Sequence, residues 1–219
     1  MIQFNDLIYI MGFTDWIYFL LAFPIVLSLH EASHALAAYY LGDPTAKAYG
    51  RLTLNPLKHI DVFGFLMLVI VHFGWGKPVP VNPKNFKNEV RDSSLTALAG
   101  PLSNFILAFV TAILLKYLGP YLPKLISGWV WYIFNISLFW GIFNLIPVPP
   151  LDGGKIIAFV VPKKYVSKYM KFQETGAVYF IAFMFFDFLI LNNLFGFSVV
   201  RTVIVTAYEF VKNLLLFGV

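Results

Sequence analysis

The chain has 219 residues, of which 59% are hydrophobic and only 12% charged. An ordinary soluble domain carries about a quarter charged residues, so this much apolar surface belongs in lipid. Its formal charge of +5 sits in two loops rather than in a stripe interleaved with aromatics, which argues against nucleic acid as a partner. There are no cysteines, so any metal must be held by His and carboxylate ligands.

The first residues hold Asp6 and no Lys or Arg, unlike the basic leader of a secretory signal, so the N-terminus reads as mature. Crossing the hydrocarbon takes about 20 mainly apolar residues. That criterion selects Asp15–Leu41, Leu95–Leu118, Gly128–Ile146, Thr175–Leu191 and Ser198–Leu216, five spans in all. Val62–Phe73 is as apolar but too short to cross, and is expected to dip in and return on the same side. Arg51–Asn55 alternates polar with apolar residues, and Pro78, Pro80 and Pro83 enforce extended backbone around Val79 and Val81, so a small β element is expected here. The sequence thus predicts an all-α integral-membrane bundle, with a short re-entrant segment and this β element, forming a single membrane-embedded domain over 1–219.

Basic residues set the orientation. One run lies between spans one and two, from Lys47 to Arg91, and another between spans three and four, from Lys155 to Lys171. Both share the cytoplasmic side if the short segment does not cross. The N-terminus is then outside and the C-terminus cytoplasmic.

Inside the first span stands His30-Glu31-Ala32-Ser33-His34. Residues four apart project from one helix face, so the two imidazoles converge while Glu31 sits beside them as a candidate general base. Ionisable groups within a span are costly and mark function, and a bound dication is the natural compensation. A catalytic zinc site uses three protein ligands. Asp152 is the best third candidate: it follows the proline-rich end of span three and precedes Gly153-Gly154, although it could instead, or also, cap a short helix. A His2Asp set favours Zn2+. The alternative reading of the same residues is a non-catalytic metal-binding protein or a divalent-cation transporter, whose ligands would be strung along a route.

These residues resemble a known family. His30 to His34 in an apolar span, Gly100-Pro101-Leu102-Ser103-Asn104 in the next, and Asn144 through Pro147 to Asp152-Gly153 look like the site-2 protease family of intramembrane zinc metalloproteases. The resemblance implies that His30, His34 and Asp152 are the zinc ligands, that Glu31 is the base, and that Asn144 lies near the bound substrate. The stretch from Gly74 to Pro83 is similar to that of compact members without PDZ or CBS domains.

The expected reaction is metal-assisted hydrolysis of a membrane protein or peptide within the lipid bilayer. With the first span ending near Leu41, the histidines lie roughly 10 to 16 Å inward from the cytoplasmic end. Water then enters from that side, and the active site is nearer the cytoplasmic face. An extended substrate could pair with the edge offered by Val79, Pro80 and Val81. Gly100 and Asn104 read as helix packing, His59 and His72 as loop histidines, and Asp187 with Arg201 as a structural pair.

Overall fold

The computed structural model describes residues 12–71 and 74–216. Helices carry the architecture: α1 (Phe13–Tyr40), α2 (Val62–Val71), α3 (Glu89–Leu118), α4 (Lys124–Asn144), α5 (Asp152–Ile157), α6 (Lys163–Phe186) and α7 (Val199–Leu215). Four stretches are long and apolar enough to cross a membrane: Phe13–Tyr40, Glu89–Tyr121, Lys124–Asn144 and Lys163–Phe195. The expected fifth span corresponds to the 17-residue α7, which places Thr202, Thr206, Glu209 and Asn213 along one side at helical spacing.

Local sequence explains where the helices begin. Asn88 accepts a hydrogen bond from the Arg91 N–H at 3.0 Å, while Asp92 accepts from the Asn88 N–H at 3.0 Å, so the start of α3 is capped from both directions. Ser198 caps α7 by accepting from the Arg201 N–H, and Asp187 accepts from the Val199 N–H at 2.8 Å and from the Ser198 hydroxyl. Asp187 therefore serves as an anchor for the turn before α7.

Helices α1, α3 and α4 pack on one another, and α5 lies against α3. Small residues permit the close approach: Ala108 and Ala112 of α3 meet Phe134 and Leu138 of α4, and Ala22 and Val26 of α1 meet Ile133. Lipid tails are as apolar as these side chains, so tight packing rather than hydrophobic transfer holds such helices together. Helix α6 is far less enclosed; Gly176 meets Pro149, and Phe180 meets Phe143.

The short apolar segment is the ten-residue α2, and the chain on either side of it comes together where Ile60 and Gly76 form an isolated antiparallel bridge. Among the described residues that bridge is the extent of β pairing. Residues 51–55 are irregular, with bends at Leu52 and Thr53, and among the described residues 78–82 pair with no strand. Prolines at 78 and 80 supply no N–H to a ladder, and side chains occupy the carbonyls that a neighbouring strand would use. His72 lies outside the described residues.

Candidate metal centre

His30 and His34 stand one turn apart on α1 with their Nε2 atoms 3.0 Å from each other. Each Nε2 is also 3.2 Å from Oδ2 of Asp152. All three residues are buried. Asp152 reaches them because it opens α5 directly after the turn that closes α4. The next two residues allow that turn: a Cβ on Gly154 would lie 2.9 Å from the Pro149 nitrogen, and one on Gly153 would strike the Leu145 and Ile146 carbonyls. Leu151, not Asp152, is the N-cap of α5, so the Asp152 carboxylate is free of capping and turns toward the rings.

Helix α3 supplies the wall behind the rings. Thr96, Gly100 and Asn104 recur every fourth residue along one of its faces. His34 Nδ1 lies 2.8 Å from the Thr96 carbonyl, which can only accept, so Nδ1 carries the proton and Nε2 is left with its lone pair. A Cβ at Gly100 would fall 2.5 Å from Cε1 of His34 and 2.7 Å from Cε1 of His30. Glycine makes room for both rings. Asn104, fully buried, places its amide 3.1 Å from His30 Nδ1, and its Oδ1 has no hydrogen-bond partner. Turning the amide over would set that oxygen on Nδ1 instead, giving His30 the same tautomer as His34.

The cluster fits a divalent ion. Three ligand atoms lie within 4.8 Å of one another, and the buried Asp152 Oδ2 lacks a hydrogen-bond donor. Both rings use their outer nitrogens on α3 and aim the inner ones at one point, the arrangement that fixes metal-binding histidines.

Other expected site residues fall as follows. Glu31 follows His30, and its Oε2 accepts a hydrogen bond from the Val79 N–H at 3.0 Å. Val79, Pro80 and Val81 are half-buried. Asn144 closes α4 with its amide donating back to the Trp140 carbonyl at 3.0 Å. Reading Gly100 and Asn104 as packing alone missed their contact with the rings; the four-residue recurrence from Thr96 was the available signal.

Long apolar helices enclosing a His-His-Asp cluster define a membrane protein built around a metal centre. Comparison with known proteins narrows this. A profile of peptidase family M50 matches residues 119–189, which include Asn144 and Asp152. YwhC of Bacillus subtilis, which bears a provisional zinc metalloprotease name, is 38% identical over 173 residues, covering 75% of this chain and 78% of its own. Rip2 of Mycolicibacterium smegmatis, similarly named, is 31% identical over 131 residues, covering 58% of this chain and 51% of its own. MJ0611 of Methanocaldococcus jannaschii, again so named, is 44% identical over 62 residues, 28% of this chain and 31% of its own. No solved structure matches. The chain belongs to peptidase family M50, the site-2 protease family, and is an intramembrane zinc metalloprotease. That sets aside the transporter alternative.

Proposed function

We propose that His30, His34 and Asp152 hold the zinc and that Glu31 is the general base for peptide-bond hydrolysis. The observation that carries this reading is the placement of one Asp152 oxygen 3.2 Å from both imidazole Nε2 atoms. When bound, zinc supplies Lewis acidity that polarises the scissile carbonyl and makes water a better nucleophile. Glu31 takes the proton from the attacking water and passes it to the leaving amine. Its Oε2 is engaged by Val79, so Oε1 is the oxygen left for the proton. The substrate is a membrane-spanning or membrane-associated protein, unwound at the cut and paired along the edge of Val79, Pro80 and Val81. Asn144 contacts substrate once its amide leaves Trp140.

The whole chain, 1–219, acts as one membrane-embedded domain. In this reading α7 is the fifth crossing, its 17 residues reaching the lower end of the spanning range. Helix α2 dips and returns, because the chain on either side of it meets at the Ile60–Gly76 bridge. Both basic loops are then cytoplasmic, the N-terminus is outside, and water reaches the centre from the cytoplasmic face.

The test compares two variants. Glu31→Gln keeps side-chain size and loses the base, so it should bind zinc at wild-type stoichiometry and cleave no membrane peptide. Asp152→Asn should lose zinc itself. Wild-type cleavage by zinc-loaded Glu31→Gln would remove Glu31 from the mechanism.

A further inference from the structure

Residues 76–82 form an extended strap whose Val79 N–H holds Glu31. Beyond the backbone bridge at Gly76 and Lys77, side chains fix that strap. At one end Arg51 donates from Nη1 to the Pro78 carbonyl at 3.1 Å and from Nη2 to the Lys77 carbonyl at 2.5 Å. Arg51 is 5% exposed, and the cost of burying its guanidinium is offset at Nη1 and Nη2, while Nε has no hydrogen-bond partner. Behind it stands His59, fully buried. Its Nε2 lies 2.8 Å from the Thr53 carbonyl, which can only accept, so Nδ1 is the unprotonated nitrogen and faces Arg51 Nη2 at 3.4 Å. The His59 carbonyl also accepts from the Lys77 N–H at 2.8 Å. At the far end Asp43, fully buried, accepts from the Asn82 N–H at 2.7 Å and from the Asn85 amide at 2.6 Å.

We propose that Arg51, backed by His59, is a positioning residue for hydrolysis: it locks the Lys77 and Pro78 carbonyls so that Val79 N–H pins one oxygen of Glu31. The proposal rests on Glu31 being the base. Arginine suits the task because its planar fork reaches two carbonyls at once, which the point-like lysine ammonium cannot. A base held in one rotamer spends less of its time out of reach of the attacking water, and small misplacements of a catalytic group cost large factors in rate.

Hydrogen exchange of the purified, zinc-loaded full chain tests this beside kinetics. Pro78 and Pro80 have no amide hydrogen, so Lys77 and Val79 report on one end of the strap and Asn82 on the other. Arg51→Gln should keep full zinc content and lower kcat/KM by about 10- to 100-fold. It should speed exchange at Lys77 and Val79 while Asn82 stays protected by Asp43. Arg51→Lys should fall between the two in both readouts. Wild-type exchange at Lys77 and Val79 in Arg51→Gln, or raised exchange with activity within twofold of wild type, overturns the proposal. If Arg51→Gln exchanges fast throughout, it has unfolded and Arg51→Lys decides on the same criteria. Failure of the base assignment shows separately, as cleavage by Glu31→Gln, and leaves the exchange result standing.

Discussion

The Asn104 amide sits 3.1 Å from Nδ1 of His30, the ring nitrogen on the opposite side from Asp152. Partners of this kind orient a metal-binding histidine, and their loss typically weakens the metal by 10- to 100-fold. Asn104→Leu keeps the bulk and removes the hydrogen bond. Zinc affinity measured by chelator competition should fall by about that factor. Unchanged affinity would mean that Asn104 only packs.

Gly100→Ala tests the space rather than the bond. The new methyl would fall 2.5 to 2.7 Å from the Cε1 atoms of the two rings, so at least one must swing away from Asp152. Zinc stoichiometry should drop, and overpacking of this kind costs about 1 to 3 kcal/mol. Thermal unfolding in detergent with bound-zinc analysis checks both; a fully loaded variant would show that the rings tolerate the methyl.

Zinc should also hold the fold together. A ligand bound only to the native state stabilises it by about 2.7 kcal/mol when present at a hundredfold above its Kd. Chelation should therefore lower the melting temperature of the wild type and have little effect on Asp152→Asn. Equal shifts in the two proteins would place the stabilising zinc elsewhere.

The strap's far anchor responds to acid. Burial opposes ionisation of Asp43, but hydrogen bonds from Thr45, Asn85 and the Asn82 N–H prevail and hold its pKa below the usual value. With the folded pKa depressed, the contribution is complete above the unfolded value of about 3.9 and is lost as pH falls through the lower folded one. Exchange at Asn82 should accordingly stay slow, relative to an unfolded-peptide control at the same pH, at mildly acid pH. It should rise only below the ordinary aspartate range. In Asp43→Asn that protection should be weaker at neutral pH and lack the acid step. A wild-type profile without the step would count against the anchor.

Much of the site was legible because its chemistry is local. His30 and His34 are one turn apart, and Asp152 announced itself by the two glycines that follow it. Spans showed wherever apolar runs were long; α7 was harder, since its 17 residues mix Arg201, Glu209 and Lys212 into an apolar helix. The strands anticipated at 51–55 and 79–81 rested on alternation and prolines. Prolines keep 79–81 from regular helix without establishing a partner, and at 51–55 the chain bends instead. What replaced the partner, the Arg51 fork on Lys77 and Pro78, joins residues 26 and 27 positions apart, a distance at which spacing carries no periodic signal.

The His pair and Asp152 lie on opposite sides of two membrane-crossing helices in chain order, with α3 and α4 between them. During synthesis the first two zinc ligands of the proposed set enter the bilayer long before the third exists. A chain that has been made only as far as α3 already carries the proposed base and the wall behind the rings, yet not the carboxylate that completes the proposed ligand set. On the proposed ligand set the metal's hold is therefore completed only after α4, when the chain has turned back to present Asp152.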